Sequence, residues 1–158
     1  MRGHRFIIVM VTAGLLSGCA TAPASTNGGS WPTPSTLAGS WEIASVAGRR
    51  ADHALGVQFG PGDMISGRIS CNAWAGTYAV DGATIDFSDD IIITTAGCGP
   101  RWPANGELAG RAEHSFWHHR QAWLSADGQH LYFQGDDLVV MDRADCLRIP
   151  GESGCDLR

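Results

Sequence analysis

From Trp41 to Met141 apolar side chains recur largely at every second position, in short runs separated by glycine, proline and aspartate. A strand turns successive side chains to opposite faces, so this period marks strands with one buried face. Trp41–Val46 is the first run, and Gly48-Arg49-Arg50 turns the chain after it. Leu55, Val57 and Phe59 lead through the turn Gly60-Pro61-Gly62-Asp63 into Ile65, Gly67 and Ile69, which is a hairpin pattern. Trp74–Val80 and Ala83–Phe87 flank Asp81-Gly82, a pair favoured by type I′ turns. Ser88-Asp89-Asp90 then turns into the β-branched run Ile91–Thr95.

After Cys98 the period changes. Gly99-Pro100-Arg101-Trp102-Pro103 reads as a loop and Asn105 as a helix cap. Leu108, Ala109, Ala112 and Phe116 fall on one face at helical spacing, predicting a helix that ends near His119. Period two returns in Gln121–Ser125 and His130–Phe133, joined around Asp127-Gly128, and in Leu138–Met141 after the turn Gly135-Asp136-Asp137. Hairpin-length connections make neighbouring strands antiparallel. The expected class is α+β, mainly β: a strongly bent antiparallel sheet or open barrel of about eight short strands, with one helix inserted after the central strands.

The first 36 residues follow different rules. Arg2, His4 and Arg5 precede the apolar run Phe6–Leu16, which suits a signal peptide and is too short for an ordinary transmembrane helix. Leu16-Ser17-Gly18-Cys19 resembles the bacterial lipobox, in which the cysteine is lipidated and becomes the mature N-terminus. Residues 1–18 are therefore expected to be a lipoprotein signal peptide, and Cys19 the lipidation site carrying palmitate. Ala20 is not the aspartate associated with inner-membrane retention, so a Gram-negative host would place the protein in the outer membrane, facing the periplasm. Ala20–Thr36 is rich in Ala, Ser, Thr, Pro and Gly without apolar periodicity, and 19–36 is expected to be a flexible tether. Asp145–Arg158 reads as a polar tail.

Composition narrows the partners. All 11 basic residues are arginine, against 16 acidic ones; removing residues 1–18 leaves nine arginines and a net charge of −7. An acidic domain has no electrostatic reason to hold a phosphate backbone, which excludes nucleic acid. Four cysteines remain once Cys19 carries lipid: Cys71, Cys98, Cys146 and Cys155. An even number in an oxidising compartment reads as two disulfides. Three pairings are possible; Cys71–Cys98 with Cys146–Cys155 is favoured, because the second pair closes a short tail loop.

The stretch Gly67…Cys71-Asn72…Gly76-x-Tyr78…Gly82…Thr94-x-x-x-Cys98, with the opening Leu37-x-Gly39-x-Trp41-Glu42 and Gly48, resembles the META domain of HslJ-like heat-shock-inducible bacterial lipoproteins. The resemblance covers 37–142, leaving 143–158 as a disulfide-closed tail. Ser70 stands where the family often has Gly, and Ala96-Gly97 where it has Met-Ala. The resemblance implies a cell-envelope protein linked to stress tolerance or antibiotic resistance, with no established catalytic reaction.

Candidate chemistry adds little to this. Cys71 is expected in a disulfide rather than as a nucleophile, which would need a free thiolate beside a base. His114 and His118 lie one helical turn apart, with His119 adjacent, and are weak metal candidates because no third ligand is identifiable. Trp41, Trp74, Trp117, Trp123 and Tyr78 either line a ligand site or fill the core; core is favoured for Trp41 and Tyr78. Asn72 is expected to satisfy loop backbone groups. With no catalytic residues, metal or cofactor assigned, the expected function is non-enzymatic: a monomer, lipid-anchored in the membrane, that binds an unknown envelope protein or small ligand. The alternative is a periplasmic protein inhibitor or small-ligand carrier.

Overall fold

The computed structural model describes residues 28–51, 55–69, 72–95 and 106–144. Among them are ten strands: β1 Gly39–Val46, β2 Arg49–Arg50, β3 Leu55–Phe59, β4 Met64–Ile69, β5 Asn72–Asp81, β6 Thr84–Phe87, β7 Ile92–Ile93, β8 Gln121–Leu124, β9 His130–Gln134 and β10 Leu138–Ala144. The helices are α1, Pro34–Leu37, and α2, Gly106–Trp117. The strands form one antiparallel sheet in the order β6-β5-β4-β3-β1-β10-β9-β8, with β2 beside β1 and β7 beside β5. Its two ends meet where the Ala122 N–H donates to the Ala83 carbonyl at 2.6 Å, so the sheet is nearly closed into a barrel. Closure leaves little free edge for unwanted pairing.

Alternation explains the core. Trp41 and Ile43, then Leu55, Val57 and Phe59, then Ile65, and Leu131 and Phe133, and Val139 and Met141 all turn inward and are buried. A register shift between Ile43 and Ser45 bends β1, and Val46 still reaches the interior beyond it. Helix α2 lays Ala112 and Phe116 into the barrel at the end where β9 turns into β10. It is fixed there by Arg111, which donates from Nε to Asp137 Oδ2 at 2.7 Å and from Nη2 to Oδ1 at 2.5 Å. Ser115 adds a hydroxyl that accepts from the Asp137 N–H at 2.9 Å.

At the other end of β10, α1 covers Trp41. Thr33 and Thr36 form a reciprocal capping box at its N-terminus. Its last carbonyls are taken by Trp41 Nε1, donating to Leu37 O at 2.7 Å, and by Arg143, donating to Thr36 O and Ala38 O.

Three details differ from the sequence reading. Arg49-Arg50 forms a short strand after an Ala47–Gly48 turn, where the pattern predicts only a turn. Asp81 pairs with Thr84, so the turn residues of the β5–β6 hairpin are Gly82 and Ala83. Only Gly82 has positive φ (57°), the type II′ signature with glycine at the first central position, rather than type I′. Residues 28–36, which composition reads as tether, carry α1 and an extended stretch in which Ser30 and Leu124 exchange two backbone hydrogen bonds of 3.0 and 2.8 Å.

Candidate functional site

A groove of about 540 Å³ opens on the outer face of β8, β9 and β10. Trp123 and Tyr132 face each other across β8 and β9, with rings 5.2 Å apart and 7° from parallel. Leu138 from β10 and Gly28 from the entering chain complete the apolar lining, and Ser125, Ala126 and Gln134 form the rim. Trp123 points away from the barrel yet is only 7 % exposed. The entering chain crosses it so closely that a Cβ on Gly29 would lie 3.0 Å from its Cδ1 and collide with the Leu124 carbonyl. Glycine is the residue that permits this approach.

The polar rim is held by its own turn. The Ser125 hydroxyl donates to Asp127 Oδ1 at 2.5 Å and accepts from the His130 N–H at 2.9 Å. The Ser125 hydroxyl and then the Gln129 N–H hold the Asp127 carboxyl below its ordinary range. His130 Nδ1 sits 2.7 Å from Asp142 Oδ1, and Gln134 Nε2 donates to the Gly135 carbonyl at 3.1 Å. These side chains serve local turns or, for His130 and Asp142, a pair across β9 and β10. An open groove with aromatic lining suits a surface or an extended segment.

A second aromatic group lies inside. Phe116 packs 6.0 Å from Trp74, 4.8 Å from Phe87 and 4.9 Å from Phe133, and Trp74 lies 4.9 Å from Trp117. Trp74 is 2 % exposed, and its indole N–H has no hydrogen-bond partner among the described residues. His119 is wedged beside this group, 5.7 Å from Phe87 and 5.0 Å from Phe133.

The sequence candidates distribute as follows. Trp41 and Tyr78 are core residues, as the favoured reading has it. Burial, with the Asp63 charge adding to it, raises the Tyr78 phenol above its ordinary value. Trp74 and Trp117 belong to the inner aromatic group and Trp123 to the groove. His114 on α2 and His118 just past its end are exposed with rings 4.7 Å apart, and His114 Nε2 lies 3.2 Å from Asp136 Oδ2. Among the described residues no three His, Cys, Asp or Glu side chains are grouped to hold a metal ion. Asn72 Oδ1 accepts from the Thr94 hydroxyl at 3.4 Å, a side-chain link between β5 and the residue after β7; the loop backbone at 70–71 that Asn72 is expected to satisfy lies outside the described residues. Cys19, Cys71, Cys98, Cys146 and Cys155 lie outside the described residues.

Sequence reasoning misses Tyr132, Gln134 and the groove as a whole. Ala122-Trp123-Leu124 and Leu131-Tyr132-Phe133 are unbroken apolar triplets, so alternation alone does not say which member faces out. Pairing the two triplets as a hairpin would place Trp123 opposite Tyr132, and is the signal that finds it.

The META domain family model matches residues 35–145. An NMR structure of a protein from Burkholderia xenovorans is similar over 87 % of this chain and 99 % of its own, with a TM-score of 0.54 and 17 % identity, a likeness of fold. No curated protein matches.

Proposed function

The chain belongs to the META domain family, and from that premise we propose that it is a non-enzymatic, lipid-anchored protein of the bacterial cell envelope that supports stress tolerance or antibiotic resistance by binding a partner. The partner seats on the groove over Trp123 and Tyr132. The observation that carries this reading is the stacked aromatic pair on the outer face of the sheet, where a half-buried Tyr132 contributes nothing to the barrel interior. Aromatic side chains of this kind dominate binding surfaces because they bury a large area at small entropic cost. The anchor is the acyl chain on Cys19, and Cys71–Cys98 and Cys146–Cys155 are bridged in the oxidising envelope.

The described interior is filled by Trp41, Phe59, Phe116 and Phe133, which favours a surface partner over a ligand carried inside the barrel. The test is complementation of a gene deletion. Wild-type protein should restore tolerance to envelope-active antibiotics, and Tyr132→Ala should accumulate normally yet fail to restore it. Full rescue by Tyr132→Ala, or a deletion strain without any sensitivity, would set the reading aside. Blocking lipoprotein signal processing with globomycin should accumulate a larger precursor; unchanged processing would remove the anchor.

A further inference from the structure

The barrel closes where β6 approaches β8, and the closure is thin. The outer edge of β6 and the turn residue before it present the Ile85 N–H and the Ala83 carbonyl, which accepts from the Ala122 N–H at 2.6 Å. The Ile85 N–H donates to Nε2 of His119 at 3.2 Å, a side-chain substitute for a strand partner. The other ring nitrogen, Nδ1, donates to the Phe116 carbonyl at 2.8 Å. Both assignments follow from the partners: a backbone N–H can only donate and a carbonyl can only accept. One tautomer of the neutral ring satisfies both bonds, and the imidazolium satisfies only one.

We propose that His119 is a pH-sensitive latch on the barrel seam, holding β6 when neutral and releasing it when protonated. Protonation would turn an Nε2–H against the Ile85 N–H and place a cation between the Phe87 and Phe133 rings. The surrounding groups do little to offset this. From β6, Asp86 is exposed and its charge favours the imidazolium. From α2 comes the Phe116 carbonyl, from β9 the Phe133 ring, and from β8 the uncharged Ala122. The chain neighbours His118 and Arg120 are exposed. Burial outweighs the Phe116 bond and Asp86, and holds the imidazole below its ordinary value of 6.5.

The sign follows from linkage. The closed seam binds fewer protons than the open one, so closure is complete above about pH 6.5 and weakens as pH falls. Below that the open fraction rises with each pH unit, by at most about tenfold, until the depressed pKa of the closed form is reached. The latch stands on the seam geometry whether or not the groove is the partner site. Its physiological use, sensing acid in the envelope, rests on the envelope location proposed above.

The experiment is an NMR titration of the ¹⁵N-labelled full chain, following the His119 ring protons and the amide protection of Ile85, Ala122 and Val57. Protection at Ile85 and Ala122 should fall between pH 6.5 and 5.5, by up to about fivefold, while Val57, in the middle of the closed sheet, keeps its protection. The same fall should be absent in His119→Gln, whose amide oxygen accepts a hydrogen bond at every pH. Unchanged protection at Ile85, an equal loss at Val57, or the same fall in the glutamine variant would overturn the latch. The wild-type titration decides by itself should the variant fail to fold.

Discussion

Replacing Arg143 with methionine tests what holds the chain where it enters the barrel. The guanidinium donates from Nη2 to Thr36 O at 2.7 Å, from Nη1 to Ala38 O at 2.9 Å and from Nε to Gly128 O at 3.2 Å. Its central carbon lies 4.2 Å from the centroid of the Trp41 ring. One side chain therefore binds α1, the β8–β9 turn and a fully buried core tryptophan. Methionine keeps the aliphatic stem and loses all four interactions. The bonds to Thr36 and Ala38 are solvent-exposed, so water replaces much of what is lost, and about 0.5 kcal/mol each is a fair value at the low end of the range. The half-buried Gly128 bond and the cation–π contact add about 0.5–1 kcal/mol each. The total is about 2–3 kcal/mol, or a Tm lower by about 8–15 °C for a domain of this size. Arg143→Lys should recover less than half, because an ammonium cannot reproduce the fork. Thermal unfolding followed by circular dichroism at pH 7 measures both variants. A Tm within about 2 °C of wild type, or full recovery with lysine, would refute the reasoning.

Other substitutions follow from the same contacts. Phe133→Ala removes a fully buried ring that packs on Phe116 and His119 and should cost about 3–5 kcal/mol in urea unfolding. Gly29→Val cannot keep its approach to Leu124 and Trp123; Trp123 fluorescence should shift to the red as the entering chain lifts away, with the midpoint of unfolding lowered. The Asp137 carboxyl is held below its ordinary 3.8 by the Arg111 hydrogen bond, so its contribution is intact above about pH 4 and lost as pH falls through the depressed value. In Asp137→Asn the α2 end should become insensitive to that step, as read by acid titration of Trp117 fluorescence. Thiol labelling of the unreduced, denatured mature chain should find no free cysteine, and stoichiometric labelling of Cys71 and Cys98 would remove the proposed bridge.

Much of the fold is legible in the alternation. Leu55-Val57-Phe59 and the Gly60–Asp63 turn yield the β3–β4 hairpin directly, since glycine and proline mark the reversal and period two marks the buried face. The helix is equally readable, with Ala112 and Phe116 four residues apart and both buried. Arg49-Arg50 is not readable as a strand, because two exposed arginines carry no apolar signal and their pairing with Ser45 and Val46 is through backbone. The entering chain is missed for a related reason. Its hold on β8 is made by backbone groups of Ser30 and by the absence of a side chain at Gly29, and neither leaves a hydrophobic pattern. The groove depends on long-range register between two apolar triplets, which local periodicity does not contain. His119 shows the same limit: its neighbours in sequence suggest a histidine cluster, while its neighbours in space are Ile85, Phe87 and Phe133.

The central claim is that the outer face of β8 and β9 meets a partner in the envelope. A photo-crosslinking amino acid at position 132, in the groove, tests it in living cells against the same residue at Gln58, exposed on β3. The account predicts a discrete, reproducible adduct from position 132, lost when Trp123 is also replaced by alanine, and none from position 58. Adducts of equal pattern from both positions, or none from position 132, would contradict it.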